Sequence, residues 1–289
     1  MFDIDELIAT RVNRPSAIVD AAAHRRRPTS LLGPHGKLMI IAADHPARGA
    51  LRAGADPFAM GNRADLLGRI LIALARPGVN GVLGTPDILE DLLLLGALDD
   101  KVVVGSMNRG GLAGTAFEID DRFTAYDAGS IADAGFEGGK MLLRIDADDP
   151  GTVATLESCG RAVGELAARR RMAMVEPFIS HRVDGRVHNE LTADAMVRAA
   201  TVAAGLGSTS AYTWLKVPVV DDMDRVMAAT TLPALILGGE VSDDAEAAYA
   251  RWSKALALPT VQGLVIGRSL LYPSRGGVAD AVDRAVDLL

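Results

Sequence analysis

Eight short apolar runs, separated by longer stretches of a different character, constrain this 289-residue chain more than any other feature. The first four are LMIIAADH (38–45), GVLGT (81–85), VVVGSMN (102–108) and KMLLRID (140–146). MAMVEPF (172–178), TWLKVPVV (213–220), PALILGG (233–239) and GLVIGRSL (263–270) complete the set. Near-continuous apolar runs of this length mark strands buried on both faces, and parallel strands need a crossover between them, usually a helix. Most of the intervening stretches carry helical periodicity, for example DPFAMGNRADLLGRILIALARPG (56–78) and GTVATLESCGRAVGELAARRRM (151–172). Eight such units predict an α/β protein, a (β/α)8 TIM barrel. A doubly wound open sheet is the competing reading, weakened by the lack of a GxGxxG turn after the first run.

No linker or shift in composition divides the chain, so residues 1–289 are expected to form a single domain. Residues 1–36 read as an N-terminal helical extension, closed by Pro28 and the GPHG turn at 33–36, that caps the bottom or side of a barrel formed by 37–289. A net charge of −7 and an aromatic content of 4% argue against a nucleic-acid groove, which needs a clustered basic face and stacking platforms. The short basic run HRRRP (24–28) reads as a solvated helix end. One cysteine, Cys159, excludes an internal disulfide and a Cys-rich metal site. The N-terminus lacks a secretory pattern and no apolar run reaches about 20 residues, so a cytoplasmic protein without a membrane partner is expected.

In a barrel of this kind, chemistry gathers at the C-terminal ends of the strands, where the βα loops converge. Those ends read Asp44-His45, Thr85, Asn108, Asp146, Glu176, Lys216, Gly238-Gly239 and Gly267-Arg268. Lysine usage is informative, because only five of the 30 basic residues are lysines and two of them, Lys140 and Lys216, fall inside core runs. A buried ammonium is costly, but unlike arginine a desolvated lysine can give up its proton. The free amine attacks a carbonyl to form a Schiff base. A lysine snorkelling from a strand end is the bland alternative, with more force for Lys140, which lies early in its run. Asp44 and Glu176 supply the carboxylates that dehydration and proton transfer require, although either alone could be a salt bridge or a helix cap. Trp214 and Tyr212 share the Lys216 side of their strand by period two and are expected to shape the pocket beside it. The glycine-bearing ends LGGEVSDD and IGRSL fall after the seventh and eighth strands, the phosphate site of this fold. There Gly238, Gly239 and Gly267 permit close backbone approach and Arg268 adds a charged fork.

These pieces resemble class I aldolases of the group containing tagatose-bisphosphate, deoxyribose-phosphate and archaeal-type fructose-bisphosphate aldolases. AADHPARGAL is similar to their first-strand signature, IADAGFEGGKMLLRID to the stretch leading through a strand lysine, and VEPF to a strand-5 Leu-Glu-Pro. WLKVPVV resembles the strand of the Schiff-base lysine, and LGGEVS and GLVIGRSLLYP resemble the two phosphate loops. The resemblance runs from about residue 38 to 275. It implies Lys216 as nucleophile, Asp44 and Glu176 as acid/base groups, Lys140 as an active-site cation, and a phosphate held by Gly239, Gly267 and Arg268. It also implies a lyase without metal or other cofactor, acting on a small-molecule sugar phosphate, and a homo-oligomer is expected. Two departures stand out: Arg48 lies two residues further from the aspartate than in the tagatose pattern, and Phe178 stands near the place of a strand-5 tyrosine.

A phosphate clamp beside Lys216 suits a dihydroxyacetone-phosphate half. The other half would face Asp44, Arg48, Asn108, Arg109, Arg144 and His181, where three arginines point to an acidic group. Fructose or tagatose bisphosphate and 2-deoxy-5-keto-gluconate 6-phosphate are the candidate substrates. The alternatives are a deoxyribose-phosphate-type aldolase, a non-catalytic sugar-phosphate-binding barrel, and a metal-dependent aldolase using His45, His181 and His188.

Overall fold

The computed structural model describes residues 2–33, 36–239, 241 and 244–289. Its strands in chain order are β1 (Leu38–Ala42), β2 (Gly81–Gly84), β3 (Val102–Ser106), β4 (Gly138–Ile145) and β5 (Met172–Val183). They continue with β6 (Arg186–Asn189), β7 (Thr213–Pro218), β8 (Ala234–Leu237) and β9 (Val261–Ile266). All but β6 pair in parallel, in the ring β1-β2-β3-β4-β5-β7-β8-β9, and β9 closes on β1. Each of the eight apolar runs has become one strand of a (β/α)8 barrel.

Helices follow the strands because their apolar residues recur on one face. The helix Arg63–Leu74 buries Leu66, Leu67, Ile70, Ala73 and Leu74, and the Asn62 side chain caps it by accepting from the Asp65 N–H. Pro86 opens the helix after β2, where its missing N–H costs nothing. The helix Gly151–Ala168 occupies the stretch whose periodicity announced it.

Two apolar clusters result. One lies between the sheet and the helices. The other fills the barrel with Leu38, Ile40, Ala42, Leu83, Val102, Val104, Met172, Met174, Leu235 and Val265, alternate residues along their strands. Burying a large aliphatic side chain contributes about 1.5–3 kcal/mol, so this interior column is a packed core and not a pore. Gly263 is required where β9 meets β1: its φ is +146°, and a Cβ would lie 2.0 Å from the Leu38 carbonyl oxygen.

The N-terminal segment forms two helices, Ile4–Asn13 and Ala17–His24. Arg11 ties the first to the side of the barrel, donating to Asp91 at 2.7 Å and Glu90 at 3.1 Å. Leu31 and Leu32 pack on the interior cluster at the N-terminal mouth. The GPHG turn lies partly outside the described residues, at Pro34 and His35. Among the described residues, no helix is long and apolar enough to cross a membrane.

Candidate active site

The interior face of the sheet changes character at its C-terminal end. Below, alternate residues are aliphatic; one pleat higher come Asp44, Ser106, Lys140, Glu176 and Lys216, all buried. Glu176 sits between two amines. Lys216 donates to its Oε1 at 2.8 Å, and Lys140 pairs with its Oε2. Lys140 also reaches Asp44 Oδ2 at 3.2 Å, so the four groups form a chain from β7 across β5 and β4 to the end of β1.

The charges within this chain set one another. Burial would raise the Glu176 carboxyl, but Lys140 and Lys216 hold it well below the usual range. Burial acts the same way on Asp44, where Arg109, Lys140 and Lys216 outweigh it. Burial, with Arg109 beside it, lowers the Lys140 ammonium to about 8 despite the two carboxylates. Burial and the cations Arg268 and Lys216 bring His45 down to about 3 against the pull of Asp44, leaving a neutral imidazole. Both acids are therefore ionised at neutral pH.

Above the cluster opens a cleft of about 400 Å³, a size suited to a small metabolite. It brings together Asp44, Arg48, Lys140, Glu176, Lys216, Gly238, Gly239, Gly267 and Arg268. Gly267 must be glycine here, since a Cβ would stand 2.4 Å from the Ala42 carbonyl oxygen. Gly239 adopts φ +70°, and the residues that follow it in LGGEVSDD, Glu240, Ser242 and Asp243, lie outside the described residues. Among the described lining residues six are cationic and three are carboxylates, with Asp121 behind Arg144 a fourth. That excess of positive charge suits an anionic ligand. A cavity of about 440 Å³ between the helices Ala245–Leu256 and Val278–Val286 contains none of the buried amines.

Several residues named from the sequence lie elsewhere or are already engaged. Trp214 does not line the cleft. It shares a face with Lys216, as period two requires, but one pleat is one layer of barrel interior, and Trp214 pairs in register with Met174 in the apolar column. Tyr212 precedes β7, a further pleat down. Asn108 spends its amide on the backbone of Leu142 and Asp121. Thr85 donates to Asp87, and Asp146 accepts from Asp148 N–H at the turn before a helix. Arg144 lines the cleft but is committed to Asp121 through two bonds of 2.8 and 2.6 Å. Arg109 is likewise paired with Asp44, at 2.7 Å. Of the three arginines expected to face the second half of a substrate, Arg48 has the loosest carboxylate partner, Glu118 at 3.5 Å, while its Nε donates to the Gly111 carbonyl at 2.9 Å. His181 stacks on His188 at the cleft edge, and among the described residues no group of three or more His, Cys, Asp or Glu is placed to hold a metal.

One element went unread in the sequence. β5 runs on past Phe178 and returns as antiparallel β6, a hairpin that places Val187, His188 and Asn189 over the cleft. Its signal was present: Asp184-Gly185 between HRV and RVH is a type I′ turn pair, and both residues have positive φ, 50° and 78°.

The closed eight-stranded barrel, with two buried amines on one carboxylate at the C-terminal ends of its strands, sets the fold class, and solved structures share that fold. A Schiff-base-forming fructose-1,6-bisphosphate aldolase superposes with TM-score 0.66 at 17% identity, covering 94% of this chain and 99% of that one. An archaeal fructose-1,6-bisphosphate aldolase gives 0.67 at 17% identity, over 94% and 98%. At that identity the likeness concerns the fold alone: a (β/α)8 barrel, shared with these two proteins. The chain belongs to the Cgl0159-like family, whose model matches residues 36–286. The crystal structure of Cgl0159 from Corynebacterium glutamicum is 53% identical, with TM-score 0.96 over 99% of this chain and 96% of that one. No curated protein matches the chain.

Proposed function

We propose that this protein is a class I aldolase that cleaves a phosphorylated ketose or keto-acid sugar into dihydroxyacetone phosphate and an aldehyde. The observation that carries the reading is Glu176 bridging Lys216 and Lys140, with Asp44 on the far side of Lys140, beneath a cationic cleft. Lys216 gives a proton to Glu176, and its free amine adds to the substrate ketone, one amine proton passing to the former carbonyl oxygen to give the carbinolamine. Glu176 returns the proton to the carbinolamine hydroxyl, which leaves as water, and an iminium remains. Asp44 then takes the proton of the hydroxyl two carbons away from the iminium carbon. The C–C bond breaks, its electrons enter the iminium to give an enamine, and the oxygen becomes the aldehyde carbonyl. Reprotonation of the enamine carbon and hydrolysis free the amine. Lys140 stays cationic between the acids. Gly238, Gly239, Gly267 and Arg268 line the same cleft and form the phosphate end.

Borohydride trapping with dihydroxyacetone phosphate tests the nucleophile. An adduct on Lys216 is expected; an adduct on Lys140, or none, overturns the reading. A panel of fructose 1,6-bisphosphate, tagatose 1,6-bisphosphate, 2-deoxy-5-keto-gluconate 6-phosphate and deoxyribose 5-phosphate then selects the substrate. Cleavage of deoxyribose 5-phosphate alone would reverse the assignment of the donor half.

A further inference from the structure

The two oxygens of Asp44 are used unequally. Oδ2 meets the Arg109 Nη2 at 2.7 Å, an ion pair off the line of a hydrogen bond. It also accepts from Lys140 and from the Ser106 hydroxyl, both at 3.2 Å. Oδ1 has the His45 Nδ1 at 3.8 Å, beyond hydrogen-bond reach. Arg109 is itself fixed: its Nε donates to Ser106 Oγ at 2.8 Å, its backbone N–H to Thr124 Oγ1 at 3.3 Å, and its side chain is 5% exposed. Arg109 thus holds Ser106 by a hydrogen bond from Nε and Asp44 by an ion pair from Nη2, two contacts from separate nitrogens that a single ammonium does not reproduce.

We propose that Arg109, braced by Ser106, is a positioning residue that pins Asp44 Oδ2 to the barrel wall and leaves Oδ1 as the oxygen offered to the substrate hydroxyl. This rests on Asp44 acting as the acid/base group of the cleavage. The charged and titratable groups facing Asp44 are Arg109 beyond β3, Lys140 on β4, Glu176 on β5, Lys216 on β7 and His45 beside it. Burial pushes the Asp44 carboxyl up, and Arg109 is the largest of the charges that bring it down, ahead of Lys140 and Lys216. Without Arg109 the Asp44 carboxyl would hold its proton to higher pH, and while protonated it could not accept one from the substrate.

The test compares wild type with Arg109→Met, Arg109→Lys and Ser106→Ala, using the panel sugar that wild type cleaves fastest. Arg109→Met is expected to lower kcat about 10²-fold with KM changed little, in the range for loss of one preorganised charged contact. The acid limb of its kcat profile should move to higher pH, because the largest charge holding the Asp44 carboxyl down is gone. Arg109→Lys should recover part of the limb, because the charge returns, and less of kcat, because the grip on Ser106 does not. Borohydride trapping of dihydroxyacetone phosphate on Lys216 should persist in every variant, which separates loss of Asp44 positioning from loss of the fold. An unchanged acid limb in Arg109→Met, or trapping lost in proportion to kcat, overturns the role of Arg109. Absence of both cleavage and adduct in wild type overturns the aldolase reading itself, and this proposal with it.

Discussion

Lys216 on β7 donates to Glu176 on β5 at 2.8 Å, across adjacent strands of the barrel, so the two groups that the proposed mechanism pairs as amine and proton acceptor are already in contact. Glu176→Gln keeps the shape and removes the acceptor. We expect it to slow adduct trapping on Lys216 about 10²-fold or more, the lower end for a general acid–base group. A trapping rate within a few-fold of wild type would assign that proton transfer to another residue.

Lys140 brings a basic limb. Burial places its ammonium at about 8, so the cation between Asp44 and Glu176 discharges as pH rises through that value. The cleavage kcat/KM should fall there, and Lys140→Met, with much reduced activity, should lack that limb. Its folded value lies below the unfolded one of about 10.4, so between roughly pH 8 and 10 the unfolded chain holds the extra proton and the Lys140 contribution to stability rises.

The carboxylates predict the opposite edge. Asp44 and Glu176 have folded values below those of the unfolded chain, so the stability they contribute is present above about pH 4 and is lost as pH falls below it. In denaturant titrations Asp44→Asn should flatten the loss of stability below pH 4. An unchanged slope would mean the pairing seen here does not control acid unfolding.

Arg268 and the phosphate end are tested by binding. Arg268→Ala should weaken a phosphorylated ligand by about 1.5–3 kcal/mol, the range for a hydrogen bond to a charged group, and an unphosphorylated analogue far less. Equal losses in isothermal titration would make Arg268 structural.

Trp214 should matter for stability and not for chemistry. Trp214→Ala removes the largest side chain from the interior column and is expected to cost about 3 kcal/mol in chemical denaturation, while kcat/KM stays within a few-fold of wild type. A large kinetic loss at retained stability would put the indole in the cleft after all.

The barrel was legible because its signal is local. A strand buried on both faces must be apolar along its whole length, and a helix must repeat its apolar face every three to four residues, so runs such as LMIIA and stripes such as Leu66, Leu67 and Ile70 declare themselves one element at a time. The strand ends followed from the fold: once eight runs are counted, Asp44, Lys140, Glu176, Lys216 and Gly267 lie on the same face by alternation alone. Lysine scarcity marked two of them. The hairpin at Asp184-Gly185 was equally local and was missed because the strand was ended at Phe178.

Alternation fixes a face but not a height, and height is set by the stagger between neighbouring strands. Trp214 and Lys216 share a face by alternation but stand one pleat apart, and the register that sets Trp214 level with Met174 leaves it in the apolar column below the cleft. Charge partners are less legible still. Arg48, Arg109 and Arg144 read as three free cations, yet Arg109 is taken by Asp44, 65 positions earlier, and Arg144 by Asp121 in the loop after β3. A buried charge must be neutralised by whatever the fold brings within a few ångströms, so the sequence determined which residues reach the catalytic face, and only the closed barrel decided which of their charges remain for a ligand.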